Sequence, residues 1–554
     1  MIVANAKIVQ SGCYNFEGCR LTLEGNGLVH TKFREKLKNY DDVMVCEFIE
    51  FGWPLGHNGT PTRCDAPKNH GGALSFPGKI GDYIVTEKNL GRIIGPFDKN
   101  PLATSLAISP LNSVEKSGST DRRVITDLSY PEQGSVNSGI DKFEFLGLKI
   151  RTRYPTVDCV AELIVEKGQG CLLFKRDMRK AFRQIRVDPG DINLLGFRWE
   201  GKVYVDTVLA MGLRSAAYIC QRLTNAIAYI HRQKGFDVVN YLDDFCGVED
   251  AALADTAFNS LGDLLVELGV TEAASKAVSP SSRVAFLGIW FDTNKMTMEV
   301  TPERLIEIKG LTQVWLLKKS ATLKEVQSII GKVNFVAKCV KPARIFISRM
   351  LNFLRGMNKT GRSVLTEEFR GDIRWWCRYL PCFNGISLLL KEPWSKPDEV
   401  LASDACLVGC GAVCGHEFLH SSFPKVILSG EHHINILELL ALVVACQAWA
   451  DVLRGKRVVV WCDNIATVWV INTGKTRDSY MQALLRELCY FTAVHDCEIY
   501  ARHIPGIQNR VPDMLSRWEI SKSAREQFLR EESLIYTREV LVREEWFITE
   551  CSRW

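Results

Sequence analysis

Residues 238–249 read VVNYLDDFCGVE: an apolar run, two adjacent aspartates, and a second run of apolar and small residues. This pattern predicts a β-hairpin whose turn carries Asp243 and Asp244. Upstream, residues 171–182 read CLLFKRDMRKAF and place Asp177 at the end of another apolar run. Short strands that end in acidic residues, separated by helical patterns, predict an α/β domain in which these carboxylates lie together.

Carboxylates grouped in this way suit hard divalent cations such as Mg²⁺, which prefer oxygen ligands. Two such ions, about 3.5 to 4 Å apart, stabilise the attacking and leaving oxygens when a nucleotide is transferred to a 3′ hydroxyl. Adjacent carboxylates at a turn repel each other unless something cationic is shared between them. An Asp-Asp pair alone is common turn chemistry. The interpretation therefore depends on the order and spacing of the motifs around the pair.

Length and composition restrict the class of protein. At 554 residues the chain is too long for one hydrophobic core, so we expect at least three domains. Its 46% hydrophobic and 24% charged residues are typical of folded globular protein. The start MIVANAKIVQ has no basic region followed by a long apolar one, and the 19 cysteines are scattered without C-x-x-C pairs. We expect an intracellular protein, in the cytoplasm and/or the nucleus, with reduced thiols and no membrane partner; its oligomeric state stays open.

Positive charge is concentrated in one region. Residues 304–378 contain 16 Lys and Arg against 5 Asp and Glu, although the whole chain has a net charge of only +5. Residues 301–380 also have helical patterns, with Thr301-Pro302 at a helix start and a capping box from Thr322 to Glu325. Clustered positive charge attracts polyanions, but a charge run is as often a solvated face. Nucleic-acid binding is therefore one of two open interpretations of this region.

Changes in pattern along the chain predict five parts. The N-terminal part is expected to be irregular, and the C-terminal tail is expected to be helical. The boundaries are 1–95 for an N-terminal extension, 96–300 for an α/β domain, 301–397 for a helical region, 398–518 for a second α/β unit and 519–554 for the tail.

The second α/β unit repeats the acidic pattern with different spacing. We predict a strand at 401–414, a helix at 434–453, a strand at 457–462, a helix at 478–490 and a strand at 498–502. Four acids fall on or beside successive elements: Asp404, Glu438, Asp463 and Asp513. Such a group can hold two Mg²⁺ around a scissile phosphate, with water as nucleophile. Glu438 lies among apolar residues at helical spacing, where an unpaired carboxylate is costly to bury, so metal ligation explains its position.

The motifs of the first domain resemble those of the reverse transcriptases. YLDD at 241–244 is similar to their catalytic hairpin, and DMRKAF at 177–182 is similar to the motif with the other metal-binding aspartate. LAMGLRSAAYICQ at 209–221 resembles the segment under template and incoming nucleotide, and FLGIWFD at 286–292 resembles the primer-contacting hairpin. RRVITDLSYPEQGSVN at 122–137 resembles part of the fingers.

The resemblance implies roles for individual residues. Asp177, Asp243 and Asp244 would bind metal, while Lys116 and Arg123 would contact the triphosphate. Phe182 would exclude a ribose 2′ hydroxyl, and Lys276 is a candidate proton donor to the leaving pyrophosphate. The remaining residues of the implied nucleotide-binding set are Met211, Gly212 and Tyr241. This chain departs from the family where Met211 and Ala217 replace the usual Phe or Gln and Pro.

Residues 398–518 resemble ribonuclease H. The resemblance implies that Asp404, Glu438, Asp463 and Asp513 bind metal. It extends to His503 in ARHIPG, ten positions before Asp513, which would assist proton transfer or product release.

Together the resemblances imply a fold and an activity. The fold would be a right-hand polymerase with fingers, palm and thumb, followed by a ribonuclease H-like α/β domain. The activity would be RNA-directed and DNA-directed DNA synthesis, with degradation of the RNA strand of RNA-DNA hybrids. The expected partners are an RNA template, a DNA primer, an RNA-DNA hybrid and deoxynucleoside triphosphates. Each active site would use two Mg²⁺, with Mn²⁺ as an alternative.

Four stretches of the sequence also bear on which kind of transposable element the chain resembles. LSYPEQGSVN, LLGFRWEGK, IGKVNFVAK and RHIPGIQNRVPDMLSR are most similar to DIRS-type retrotransposons, which carry a tyrosine recombinase. Three alternatives stay open: a long terminal repeat or pararetroviral polymerase, a domesticated nucleic-acid-binding protein without catalysis, and a recombination-type nuclease that uses only the C-terminal acids. The last leaves Asp177 and YLDD unexplained.

Overall fold

The computed structural model describes the backbone of residues 14–17, 20–23, 27–59, 67–115, 121–150, 154–339, 346–358, 360–383, 386–388, 397–474, 476–495 and 497–547. The chain divides into two compact units, Met1–Phe286 and Leu287–Trp554. The five-part division expected from the sequence stays a prediction. Among the described residues, no helix combines the length and apolar character that crossing a membrane requires.

The first half of unit 1 mixes helices with short antiparallel strands. Its elements are β1 Tyr14–Glu17, β2 Arg20–Leu23, α1 His30–Lys36, α2 Met44–Phe51, α3 Gly71–Leu74, α4 Pro77–Asn89, β3 Ile93–Phe97, β4 Leu111–Glu115, β5 Arg122–Thr126, β6 Glu144–Phe145, β7 Leu148–Lys149 and α5 Val157–Lys167. Strands β4 and β5 form a hairpin in which Ser113 pairs with Val124.

The second half of unit 1 contains the sheet that carries the first acidic motifs. Its elements are β8 Leu172–Asp177, β9 Gly196–Trp199, β10 Lys202–Asp206, α6 Ala216–Gln233, β11 Val238–Tyr241, β12 Asp244–Glu249, α7 Ala254–Glu267, β13 Val278–Ser281 and β14 Arg283–Phe286. The strand order is β11-β12-β8-β13, and each neighbouring pair is antiparallel. A second antiparallel sheet has the order β3-β10-β9.

Helices α6 and α7 supply the core of unit 1. Ile219, Leu223 and Ile227 recur every fourth residue along α6 and are fully buried, as is Leu261 of α7. Burial of each such side chain contributes about 1.5 to 3 kcal/mol. Helix α6 begins directly after Ser215 and ends at Gln233.

The N-terminal extension differs from its expectation. Residues before 95 were expected to be irregular, but α1, α2 and α4 are regular helices, and Phe33 and Trp53 are fully buried in the main core of unit 1. Of the Gly, Pro and Asn residues in this part, Pro54, Gly56 and Asn58 lie between α2 and α3, where such residues favour turns.

Unit 2 begins with strands and helices that contain the basic region. Its first elements are β15 Ile289–Asp292, β16 Thr297–Val300, α8 Pro302–Leu316, β17 Ser320–Thr322, α9 Leu323–Val336, α10 Ser348–Arg355, β18 Arg362–Val364, α11 Glu367–Cys382 and β19 Ile386–Leu388. The predicted capping box is confirmed: the Thr322 hydroxyl accepts from the Glu325 amide, and the Glu325 carboxylate accepts from the Thr322 amide.

The rest of unit 2 is built on a six-stranded sheet. Its elements are β20 Glu399–Ala405, β21 Gly409–Cys414, β22 Glu417–Ser422, α12 Lys425–Leu428, α13 Ile434–Ala448, α14 Ala450–Leu453, β23 Arg457–Cys462, α15 Ile465–Thr473, α16 Ser479–Val494, β24 Glu498–His503, α17 Arg510–Ser516, α18 Lys522–Glu531 and β25 Arg538–Glu539. The order is β24-β23-β20-β21-β22-β25. Strands β20, β23 and β24 run parallel, whereas β20-β21 and β21-β22 are antiparallel.

Two expectations for this sheet were wrong in part. The strand predicted at 401–414 is a hairpin, β20 and β21, because the Cys406 amide bonds to the Gly409 carbonyl in a turn whose apolar residues hid it from the sequence. The tail expected to be helical contains α18 but then adds the short strand β25 beside β22. Helix α15 was not expected.

Candidate active sites

The strand register of unit 1 brings the first three carboxylates together. Asp177, the last residue of β8, is the direct antiparallel partner of Asp244, the first residue of β12. Asp243 occupies the turn between β11 and β12, and its carbonyl accepts from the Met178 amide at 2.9 Å. The grouping expected from the sequence is therefore confirmed by the backbone pairing itself.

Two oxygens of this group are buried without a donor. Asp177 is 4% exposed; its Oδ2 accepts from the Lys276 ammonium at 2.9 Å, and its Oδ1 receives no hydrogen bond from any described residue. Asp244 Oδ1 likewise receives none from the described part of the chain, although the Lys175 ammonium lies 3.4 Å away. Buried carboxylate oxygens are costly without partners. These residues therefore fit a bound divalent cation.

The pKa values of Asp243 and Asp244 reflect repulsion between the three neighbouring carboxylates. Burial raises the pKa of Asp244 to about 6; the Lys175 charge opposes this rise, and the facing Asp177 carboxylate adds to it. Burial and the Asp177 charge also raise the pKa of Asp243, while Lys276 and Arg123 oppose them. Each carboxylate disfavours ionisation of the next, and a shared cation removes that penalty.

A polar clamp holds the hairpin turn, and the sequence reasoning missed it. Leu242, at the tip of the turn, has a φ of 51°, and its amide donates to Gln221 Oε1 at 2.8 Å. Gln221, a fully buried residue of α6, also donates through Nε2 to the Asn240 carbonyl. Asn240 donates in turn to Thr224 and Asn225 of the same helix. A glutamine on the buried face of an amphipathic helix was the available signal.

The residues expected around the nucleotide lie on neighbouring segments. The Thr126 amide of β5 donates to the Met211 carbonyl at 3.2 Å. Gly212 has a φ of 112°, and a Cβ there would lie 2.4 Å from the Thr126 carbonyl, so only glycine fits. Arg123 is exposed on β5, close enough to lower the pKa of Asp243. Lys116 lies outside the described residues.

Two aromatic side chains lie beside the carboxylates in the sequence. Phe182 is half-buried in a 3-10 turn over Ala181–Gln184, directly after the Asp177 strand, and packs against the main core. Tyr241 is half-buried at the end of β11, with its ring 5.9 Å from that of Tyr154.

The second carboxylate group belongs to unit 2. Asp404 is on β20, Glu438 on α13, Asp463 directly after β23 and Asp513 on α17. Burial raises the pKa of Glu438 to about 9, with the Asp404 and Asp463 charges adding to the rise. Burial raises the pKa of Asp404 to about 7, the Ser516 hydrogen bond opposes the rise, and the Asp463 and Asp513 charges add to it. All four acids are therefore close enough to repel one another.

The immediate surroundings of these acids include groups that the sequence did not single out. Ser516 Oγ donates to Asp404 Oδ2 at 2.6 Å across 112 positions of chain. Cys462 contributes its thiol, and the ligand atoms of Glu438, Cys462 and Asp463 all lie within 4.8 Å of one another. The oxygens of the two carboxylates, Glu438 and Asp463, are the donors in this set that fit a hard divalent cation.

His503 and Asp513 lie at the edge of this group. His503, at the end of β24, is exposed and is the register partner of Cys462, the residue before Asp463. Burial raises the pKa of Asp463, the Asp513 charge adds to the rise, and His503 opposes it. Asp513 is bound by Arg517 at 2.7 Å. The structure therefore places every residue expected in the second site near the same sheet end.

Comparison with known proteins finds retrotransposon polyproteins. The chain is 23% identical over 69% of its length to the retrovirus-related Pol polyprotein from transposon 297 of Drosophila melanogaster, and 23% identical over 67% to that from transposon gypsy. It is 22% identical over 64% of its length to the transposon Tf2-3 polyprotein of Schizosaccharomyces pombe. The matches cover 34%, 35% and 26% of these relatives, so the chain spans about a third of their length or less. No family model matches the chain.

Solved structures with similarity include foamy viral protease-reverse transcriptases. One, in complex with double-stranded DNA, has a TM-score of 0.48 and 14% identity, covering 88% of this chain and 83% of that one. Another, in complex with an RNA/DNA hybrid, has a TM-score of 0.42 and 15% identity, covering 91% and 62%.

Proposed function

We propose that this chain is an RNA-directed DNA polymerase, able also to copy DNA, that carries ribonuclease H activity against the RNA strand of RNA-DNA hybrids. The observation that carries the proposal is the cross-strand pair of Asp177 and Asp244, beside Asp243 in the turn. The buried Oδ1 oxygens of this pair receive no hydrogen bond from the described residues. A separate group of four acids on the other unit supports a second activity.

The first site would extend a primer. Asp177, Asp243 and Asp244 would hold divalent cations, Mg²⁺ or alternatively Mn²⁺, which supply charge stabilisation for the attacking and leaving oxygens when bound. Arg123 would bind the triphosphate, and Phe182 would exclude a 2′ hydroxyl. The Lys276 ammonium is 62% exposed while bound to Asp177 Oδ2, so it can reach solvent or a departing pyrophosphate with its proton.

The second site would cut RNA. Asp404, Glu438, Asp463 and Asp513 would hold the cations of this site, and the exposed His503 would move a proton during hydrolysis or product release. Ser516 would keep Asp404 oriented through its 2.6 Å hydrogen bond. The first site would form a phosphodiester with release of pyrophosphate, and the second would hydrolyse one with water, which suits a protein that makes DNA and removes the copied RNA.

Template and primer would bind the helical region through its positive charge. Residues 304–378 lie on α8 to α11 and the segments between them, with the excess of Lys and Arg noted above. Contacts of this kind go to phosphates, so binding should depend little on sequence and should weaken strongly with salt.

Within retrotransposons, we propose a DIRS-type origin. The stretches LSYPEQGSVN at 128–137 and RHIPGIQNRVPDMLSR at 502–517 support it, and the second contains His503, Asp513 and Ser516. The similarity to transposon 297 and gypsy polyproteins supports the broader retrotransposon setting.

The test is extension of a labelled DNA primer on an RNA template that carries a second label. The proposal expects Mg²⁺-dependent growth of the primer together with shortening of the template. A domesticated nucleic-acid-binding protein would bind the duplex and change neither strand. A nuclease alone would shorten the template without extending the primer.

A further inference from the structure

A buried charge on helix α4 is aimed at the turn that follows Asp177. Glu87 is fully buried on the face of α4 that also carries Ile80 and Ile84. Its Oε1 accepts from Lys180 Nζ at 2.9 Å, and its Oε2 accepts from Arg183 Nε at 2.9 Å. A buried carboxylate is costly unless it is paired. Two cations from one short turn supply that pairing.

Arg183 also binds a second buried carboxylate. Arg183, 3% exposed, donates through Nη2 to Asp206 Oδ1 at 2.6 Å, and Asp206 is 1% exposed on β10. Burial raises the pKa of Glu87, but Arg183 and Lys180 outweigh it and hold that pKa below its usual value. Glu87 is therefore ionised at neutral pH, and the turn is fixed between two buried carboxylates.

The turn needs such contacts because its backbone is strained. Lys180 has a φ of 50°, a left-handed conformation that is uncommon for residues other than glycine. On its other side the turn is held by Gln184, whose Nε2 donates to the Thr271 carbonyl at 2.8 Å. Residues 178–184, which follow Asp177 and include Phe182, are thus held from both sides.

We propose that Glu87 is a positioning residue of the first site: through Lys180 and Arg183 it fixes the turn 178–184, and so sets how closely Phe182 approaches the sugar of the incoming nucleotide. This rests on the proposed polymerase function. Glu87 is not one of the residues proposed to hold metal or nucleotide, so its loss should alter the choice between deoxy- and ribonucleotides more than the chemistry of transfer.

The first test uses Lys180→Met, which removes one tether and leaves the pair of Arg183 with Glu87 in place. Lys180 is 48% exposed, so the fold should accept the change. Lys202→Met is the matched control: Lys202 is 49% exposed and also bound to an acid at 2.6 Å, but its partner Asp98 is 88% exposed. Steady-state incorporation of a deoxynucleotide and of its ribonucleotide counterpart gives the discrimination ratio for each variant.

Lys180→Met should lower that ratio by about tenfold, since contacts that distinguish one small group are worth about 10- to 200-fold in discrimination. Lys202→Met should leave it unchanged. Cleavage of a preformed hybrid by the second site should stay at the wild-type rate in both variants and reports that unit 2 is folded, while incorporation of the deoxynucleotide reports that unit 1 is folded. An unchanged ratio in Lys180→Met overturns the proposal, because the tether would then serve stability alone.

Glu87→Gln and Phe182→Ala complete the test. Glu87→Gln should lower the ratio further than Lys180→Met, and adding Lys180→Met to it should have little extra effect, since both act through one contact. Phe182→Ala should lower the ratio most; if it does not, Phe182 has no selectivity for Glu87 to set, and the proposal is wrong. If the wild-type chain extends no primer while still cutting hybrids, the proposed polymerase function fails instead.

Discussion

The amide of Leu242 donates to the side-chain oxygen of Gln221 at 2.8 Å, linking the tip of the carboxylate hairpin to the middle of helix α6. Leu242 has left-handed backbone geometry, and Gln221 is fully buried. The helix therefore holds the turn in the conformation that presents Asp243. The turn also gives the buried Gln221 side chain a partner, and that side chain would be costly to leave unpaired.

Gln221→Leu should impair DNA synthesis. The change keeps the side-chain volume but removes the partners of the Leu242 amide and the Asn240 carbonyl, each worth about 1 to 3 kcal/mol when left buried and unpaired. Primer extension and hybrid cleavage should be measured in parallel. We expect extension to fall at least tenfold and cleavage to stay unchanged.

The matched control for this prediction is Gln233→Leu, at the exposed end of the same helix. It should alter neither activity. Equal losses of extension and cleavage in Gln221→Leu would mean that the clamp supports the whole fold rather than the turn.

Asp243→Asn and Asp463→Asn should separate the two activities. Each change removes one carboxylate charge from one group, and loss of several kcal/mol of metal-borne stabilisation corresponds to roughly 1,000-fold or more in rate. Asp243→Asn should abolish primer extension and spare cleavage; Asp463→Asn should do the reverse. Labelled strands in a single reaction report both. Loss of both activities from either change, in a folded chain, would contradict a two-site protein.

Ser516→Ala should shift the pH dependence of cleavage. Burial raises the pKa of Asp404 to about 7 although the Ser516 hydrogen bond opposes that rise. Without this hydrogen bond the pKa rises further, so a higher pH is needed to ionise Asp404 for metal binding. A hydrogen bond to a charged group is worth about 1.5 to 3 kcal/mol, so the acid limb of the cleavage profile should move up by about one pH unit or more.

Ser429→Ala, an exposed serine of the same unit, is the control and should leave the profile in place. A Ser516→Ala profile that falls in amplitude at every pH, with an unmoved acid limb, would show that Ser516 supports the fold and not the charge of Asp404.

The sequence predicted the strands that bear the acidic residues better than it predicted the side chains that contact them. Asp177, Asp243 and Asp404 follow or end apolar runs, and the strands there form because those runs must be buried. The bonds from Gln221 to Leu242 and from Ser516 to Asp404 join residues 21 and 112 positions apart, and no local pattern encodes such a contact. They follow only from how the helices pack on the sheets.

The elements that were missed have a similar cause. The turn between β20 and β21 contains Leu407 and Val408, so the apolar run continues through it and reads as one strand. Strand β25 is two residues long and is defined by its pairing with β22. The charged sequence of the tail contains no pattern that predicts this pairing. Local composition could not distinguish a hairpin from one long strand, or a short paired strand from a helical tail.

Acid should destabilise unit 1 through His231. This histidine of α6 is fully buried, its Nε2 lies 3.2 Å from the Ala257 carbonyl, and burial lowers its pKa from 6.5 to about 4. Because the folded state keeps His231 neutral, the contribution of this residue to the free energy of unfolding is fully present above pH 6.5 and is lost as the pH falls towards 4. Linkage gives a loss of about 2 kcal/mol between pH 7 and pH 5.

Denaturant unfolding of the wild type and of His231→Leu at pH 7 and pH 5 measures this loss. His231→Leu should be less stable than the wild type at pH 7, because it gives up the contact to Ala257, but its stability should fall by about 2 kcal/mol less on going to pH 5. Only the difference between the two chains is diagnostic, since the raised pKa values of Glu438 and Asp404 act in the opposite direction in both. Equal losses in the two chains would mean that His231 takes up no proton on unfolding in this range.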